Sequence, residues 1–257
     1  MKTHIADPAL SFRPSTLDGR YFVRRESPSR PDYEEAYWGT ITDPDGRVRD
    51  RSLERERHLE DVAEELDFIN SLPAARGGRM VDVGCGLGYF LSGVSPSWER
   101  HGVEVSRFAA ERATEWGRVH VGPLESAGYP DGWFDAVVLH HVVEHVDDPI
   151  ALIQEIRRVM SPGAWLVLGT PDFDSAAARR FGDRYRLLHD PTHISLFTNE
   201  SMHRFLRDHG FTIHRVEYPF FETRHFTRQS LERLFDTGSV SPPFYGSFMT
   251  FYARKPG

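Results

Sequence analysis

The chain has a single cysteine, Cys85, in 257 residues. One thiol cannot close an intrachain disulfide, and this usage suits a reducing cytosol. Excess basic charge is missing too: 31 Lys and Arg stand against 38 Asp and Glu, a formal charge of −7 with a pI near 6.0. No general field is available to hold a phosphate backbone, so nucleic acid is not an expected partner. Long apolar runs are absent; each is short and broken by charge, and the opening "MKTHIADPALSFRP" has no apolar core of signal-peptide length. A soluble, cytoplasmic chain without a membrane partner is expected. Internal repeats and low-complexity tracts are also lacking. What is present, 39% hydrophobic residues over this length, is enough for one full core.

Residues 1–50 are rich in Pro, Arg, Asp and aromatics with no sustained period, and read as an irregular arm or lid. Next, Leu59, Val62, Leu66 and Ile69 recur at helical spacing among charges, ahead of Pro73 and the Gly77-Gly78 pair, which predicts one amphipathic helix. Strand-like runs then alternate with helical stretches: "RMVDVG", "RHGVEV", "RVHVG", "FDAVVLHH", "AWLVLGT" and "FTIHRVEY" between helices at 90–94, 106–116, "PIALIQEIRRVM" and "NESMHRFLRDHG". The predicted fold class is α/β, a doubly wound, Rossmann-like, mostly parallel sheet with helices on both faces. A turn is expected at "SPG", and the last run, "FMTFYARK", is expected to add an antiparallel edge strand. Stretches 171–197 and 219–246 interrupt the alternation and are expected to roof a domain spanning 51–257.

"VDVGCGLGYF" ends a strand in Asp82 and places Gly84, Gly86 and Gly88 at alternate positions before a helix. Bare backbone there lets a ligand approach while helix amides point at it, although glycines also serve tight structural turns. A dinucleotide fingerprint is G-x-G-x-x-G; here the third glycine comes one place early, which disfavours pyrophosphate and a nicotinamide oxidoreductase. Glu104 closes the next strand at about the 20-residue offset where such sheets hold ribose hydroxyls, unless it is only an exposed strand-end charge.

These stretches, with "GPLESAGYPDGWFDAVVLHHVVEHVDDP", "EIRRVMSPGAWLVLGTPD" and "FTNESMHRFLRDHGF", resemble in order and spacing the class I S-adenosylmethionine-dependent methyltransferases. The likeness covers about 79–211 and is strongest to the small-molecule group that includes ubiquinone-biosynthesis and sugar methyltransferases. It implies a seven-stranded sheet and S-adenosyl-L-methionine as cofactor. By the resemblance, Asp82, Gly84, Cys85, Gly86 and Gly88 surround the aminocarboxypropyl part, Glu104 holds the ribose and Val105 adjoins the adenine. Leu124 and Glu125 would complete the adenine contact, with Gly122 standing where the family often has Asp. His140 would lie beside the methionine sulfur.

Methyl transfer requires alignment and dehydration, and a hydroxyl acceptor also needs a base. Histidines are the candidates: His193 first, then His189, in "LLHDPTHISLFT", and His145 beside Glu144 in "LHHVVEHVDDP". Each has a plainer reading, as loop hydrogen bonding or as cap and packing chemistry at a helix start. His189, Asp190 and His193 have the types of a metal set, but Pro191 disrupts the turn that would bring the two rings onto one face, so no metal is expected. Tyr21, Phe22, Tyr33, Tyr37 and Trp38 either fold over the cofactor or form a satellite cluster. Phe220, Phe221, Phe226, Phe244 and Tyr245 suit an apolar or ring-shaped acceptor or a homodimer contact, and Arg224 and Arg228 either meet an anionic group or are solvated. The expected activity is methylation of a small-molecule acceptor, with O-methylation of a sugar, phenol or secondary metabolite preferred. N- or C-methylation and a non-catalytic cofactor-binding protein are the alternatives.

Overall fold

The computed structural model describes residues 12–14, 20–25, 32–42, 48–218, 227–242 and 247–257. Its centre is a sheet of seven strands: β1 (Arg79–Val83), β2 (Glu99–Glu104), β3 (Arg118–Val121), β4 (Phe134–His140), β5 (Met160–Pro171), β6 (Thr212–Glu217) and β7 (Phe248–Arg254). They lie in the order β6-β7-β5-β4-β1-β2-β3. The pairs among β1 to β5 are parallel, and β7 runs antiparallel to both β5 and β6. The final strand is thus antiparallel as expected, but it enters one place in from the rim, with β6 outermost. There it pairs on both sides, and its residues from Met249 to Ala253 are buried.

Residue alternation sorts the core onto two faces. Val81, Val83, Val137, Leu139, Leu166 and Leu168 point to one side, against α5 (Pro149–Val159) and α7 (Asn199–Asp208). Met80, Ala136, Val138 and Val167 point to the other, against α1 (Arg55–Asp61), α2 (Ala63–Ser71) and α3 (Tyr89–Gly93). The expected amphipathic helix is α1 and α2 together, interrupted at the buried Val62 (φ −111°, ψ 20°). Val62 still donates to His58 O and accepts from Leu66 N, so the helical path continues across the break. The "SPG" residues lie inside β5, where a register shift opposite Phe134 and Ala136 absorbs the expected turn.

Helix starts follow the sequence. Ser106 caps α4 (Arg107–Ala113) through Ala109 N at 3.1 Å, and Asp148 caps α5 through Ala151 N at 2.9 Å with Pro149 in the first turn. Thr198 and Ser201 form a reciprocal capping box on α7.

The N-terminal residues divide into two roles. Val23–Arg25 pairs with Phe12–Pro14 and with Ser195–Leu196 in a small antiparallel sheet, while Tyr21 and Phe22 pack against Phe205 and Phe197 of the main core. Residues 32–42 instead reach the carboxyl ends of the core strands. The stretch after β5 forms α6 (Ala176–Phe181), two single 3-10 turns and its own apolar cluster around Phe173, Tyr185 and Leu188. Phe220, Phe221, Arg224, Phe226, Phe244 and Tyr245 lie outside the described residues. Arg228, on α8 (Arg228–Arg233), is surface-exposed and pairs with Glu232 at 2.8 Å.

Candidate functional site

The order reverses across β1 and β4, and in an open α/β sheet that switch point opens a crevice at the carboxyl ends of the strands. The glycine loop lies in it, with φ of +78°, +53° and +79° at Gly84, Gly86 and Gly88, a region side-chain-bearing residues rarely adopt. The three glycines serve different ends. A Cβ on Gly86 would come within 2.6 Å of Trp38 Cη2, and one on Gly84 would collide with Val142. Gly88 is packed against α4, where a Cβ would lie 2.8 Å from Ala113 Cα, so its bareness serves helix packing.

Two carboxylates organise this end of the sheet. Glu104, 5% exposed, accepts from Gly86 N at 2.9 Å and Ser106 N at 2.8 Å, one amide on each oxygen. Burial raises its pKa and these amides oppose the rise. A carboxylate has more acceptor sites than these amides fill, which fits ribose hydroxyls. Asp82 is buried at the end of β1, and burial, reinforced by the Glu104 charge, pushes it up to about 7. A carboxyl so strained by lack of a counter-charge fits an ammonium group. Cys85 is pushed well up by burial and by the same carboxylates, so it stays a thiol.

Asp82, Gly84, Cys85 and Gly86 line one end of a cavity of about 440 Å³. Its other lining includes His140 at the end of β4 and His141 just after it, Gly169 and Thr170 from β5, and the start of β7. His140 is driven well below its ordinary pKa by burial, with His141 and His58 adding, so it stands neutral. Glu65 of α2, 4.0 Å from His140 Nε2 and bonded by Thr250 Oγ1 at 3.0 Å, closes another side. The sequence did not single out Glu65, because in "AEELDF" it is one acid among several on an amphipathic helix. Glu104, Gly88, Val105, Leu124 and Glu125 do not line this cavity. Val105 is 56% exposed, Glu125 is exposed, and the Leu124 side chain belongs to the core, leaving only its backbone for a ligand.

The arm covers the site. Glu34 accepts from Arg107 N and Phe108 N, each at 3.1 Å, so it docks on the start of α4 beside the end of β2. One helical turn, Glu35–Trp38, then lays Trp38 on the glycine loop, with its indole N–H on Tyr33 O at 2.9 Å. Arg51 stacks on Tyr37 at 4.1 Å. Burial, with Tyr37, Asp190, Glu104 and Glu144 adding, pushes the Tyr33 hydroxyl up to about 12.

The expected catalytic histidines separate. His189 has its Nε2 2.8 Å from Asp183 O and is not one of the group formed by Glu144, His145 and His193. His145 and His193 come together, ring centroids 4.8 Å apart, beside the fully buried Glu144. Burial raises the Glu144 carboxyl, but the hydrogen bond from His141 at 3.1 Å and the neighbouring imidazoles bring it down to about 2. Thr170 Oγ1 donates to its second oxygen at 3.1 Å. Burial lowers His193 despite the nearby Asp190. Of these groups only His141 and Thr170 line the cavity. His141 holds φ +55°, the one described non-glycine residue in that region, which marks the β4 terminus as strained.

A family model for the methyltransferase domain matches residues 53–216. Among curated proteins, the chain is 36% identical over 123 residues to an uncharacterised 37.1 kDa transposon protein of Streptomyces fradiae, covering 42% of this chain and 34% of that protein. It is 33% identical over 127 residues to a ubiquinone biosynthesis O-methyltransferase of Xanthomonas oryzae, covering 44% of this chain and 51% of that one. The matched segments thus span a third to a half of these relatives. A solved methyltransferase from Archaeoglobus fulgidus, described as S-adenosylmethionine-dependent, shares the fold at a TM-score of 0.57 and 19% identity, over 78% of this chain and 94% of that one. Among the described residues no helix is long and apolar enough to cross a membrane. The family match over most of the chain, the switch-point crevice and the acid-bearing glycine loop lead to one conclusion: the chain belongs to the methyltransferase domain family.

Proposed function

We propose that this methyltransferase acts on a hydroxyl group of a small molecule, a sugar, phenol or other secondary metabolite. The observation that carries this reading is the cavity of about 440 Å³ between the glycine loop and the histidine-bearing end of β4, with Trp38 and Tyr37 in its wall. That volume is in the range of small-molecule pockets, about 300 to 1,000 Å³. The choice of oxygen draws on the likeness to a ubiquinone biosynthesis O-methyltransferase.

The bound cofactor supplies an electrophilic methyl group on a sulfonium. In this reading Asp82 holds the ammonium group, Gly84 and Gly86 let the chain approach, and Glu104 takes the ribose hydroxyls. Val105, the Leu124 backbone and Glu125 fall to the adenine end. His140, kept neutral by burial, sets no second positive charge beside the sulfonium. Trp38 and Tyr37 exclude water, so acceptor and methyl meet in a dehydrated space.

The test is release of S-adenosylhomocysteine by the purified chain with panels of phenols, sugars and amines, followed by location of the added methyl by NMR. Methylation of an oxygen is expected. Turnover confined to amines or carbon acids overturns the assignment.

A further inference from the structure

We propose that Glu65 is the catalytic base of the transfer, the group that takes the proton from the acceptor's hydroxyl; this rests on the reading of the reaction as O-methylation. The assignment starts from the register of the sheet. Thr250 of β7 pairs with Gly169 of β5, and Gly169 with His140 of β4, so the three form one row across the carboxyl end of β4 and β5. Two residues further down the same strands, Val138, Val167 and Tyr252 belong to the apolar cluster that α2 completes. Positions two apart share a face, so the row looks toward α2 as well. There α2 presents Glu65, whose Oε1 accepts from Thr250 Oγ1 at 3.0 Å and lies 4.0 Å from His140 Nε2. Gly169 makes the room: a Cβ there would collide with the His140 ring.

The same row divides the cavity. The glycine loop follows β1 on one side of β4, while β5 and β7 lie on the other. At ~4.8 Å between neighbouring strands, β5 and β7 stand about 10 and 14 Å from β1. A cofactor with its amino-acid half at the glycine loop and its sulfur beside His140 leaves the β5 and β7 side to the acceptor. Glu65, Thr170, Phe248 and Met249 line the cavity there.

The other acids and imidazoles of the lining are less suited. Glu54 is shared by Arg49 and Arg57, Asp61 is exposed, and Asp82 stands at the glycine loop. His141 is paired with Glu144 at 3.1 Å, and burial, with His141 and His58 adding, holds His140 well below its ordinary pKa, which makes it a weak base. Glu65 is 5% exposed, and Thr250 fills only one of the positions at which a carboxylate accepts. Burial raises its pKa against the opposing Thr250 hydrogen bond, and a carboxyl so raised is a stronger base than a solvated one. As the acceptor oxygen bonds to the methyl carbon, the O–H bond breaks and its proton passes to a Glu65 oxygen. The carbon–sulfur bond breaks with its electron pair going to sulfur, which leaves a neutral sulfide.

The experiment compares Glu65→Gln, which keeps an acceptor for Thr250, and Glu65→Asp with the wild type. In the ligand-free chain an ionised buried carboxyl costs stability. In urea unfolding the Gln variant should therefore gain on the wild type as pH rises from about 4.5 to the folded pKa of Glu65, and gain no more above it. The titratable groups around Glu65 are Glu64 on its own helix, His58 and Asp61 from α1, Asp82 from β1, and His140 and His141 at the end of β4; both proteins carry them, so the difference reports Glu65. A difference that does not move with pH makes Glu65 an ordinary carboxyl and overturns the proposal. With the phenols or sugars that the wild type methylates, kcat of Glu65→Gln should fall about a hundredfold or more and lose its rise with pH, with the acceptor's KM and the calorimetric cofactor affinity little changed. Glu65→Asp should restore part of the rate. O-methylation with undiminished kcat in Glu65→Gln overturns the role of Glu65 and leaves the O-methylation reading standing. Wild-type turnover confined to amines or carbon acids removes that reading itself, and the role of Glu65 falls with it.

Discussion

At the scale of single residues, the two carboxylates of the glycine-loop crevice make the sharpest predictions. An unfolded Asp titrates near 3.8, whereas Asp82 in the fold sits at about 7. Between those values the native chain holds a proton that the unfolded chain has lost, so stability of the ligand-free protein falls as pH rises from about 4 to about 7 and then levels off. A cofactor ammonium beside Asp82 restores the charged carboxylate, so binding below pH 7 should release a proton, seen as a buffer-dependent heat in calorimetry. Asp82→Asn should remove that release; an unchanged buffer dependence would count against the ammonium contact. Glu104→Gln keeps the shape but halves the acceptors, and its cofactor affinity should drop by about 1 to 3 kcal/mol. Equal affinity would remove the ribose assignment. Both acids were legible in the sequence, because a strand end next to a glycine loop is a position local pattern can find. Glu65 was not, since its burial depends on Thr250, 185 residues away.

At the scale of elements, the arm and the loop after β5 decide access and geometry. The turn Glu35–Trp38 is held by few contacts, chiefly the Glu34 carboxylate on α4 and Arg51 on Tyr37. It should open and close more readily than the sheet, as hydrogen exchange of its amides would report. Trp38→Ala removes the ring lying on Gly86; cofactor affinity should fall about tenfold, ~1.4 kcal/mol, with the melting temperature of the ligand-free chain little changed. A large loss of stability instead would make Trp38 a core residue rather than a cover. Composition showed that the arm has too many aromatics to be left idle, but Tyr21 and Phe22 look no different in sequence from Tyr37 and Trp38. Only the pairing of Val23–Arg25 with Ser195–Leu196 sends the first two into the core.

At the scale of the whole molecule, one sheet with two apolar faces carries the stability, and ligands add to it. Phe205, fully buried among Tyr21, Phe197 and His209, ties the arm and α7 to that core. Phe205→Ala should cost about 3 to 5 kcal/mol in denaturant unfolding, and a loss under 1 kcal/mol would show that this face is loosely packed. Cofactor at about 100 times its dissociation constant should add ~2.7 kcal/mol, visible as a raised melting temperature. By itself the sequence determined the alternation of strands and helices, the glycine loop with its two acids, and the neutral-to-acidic surface, because periodicity, turn chemistry and charge are properties of neighbours along the chain. Tertiary structure alone decided that β7 enters inside the rim, that Trp38 lies over Gly86, and that His193 joins Glu144 and His145 while His189 turns away. Each of those depends on where segments far apart in the chain are brought together, and no local pattern encodes a meeting place.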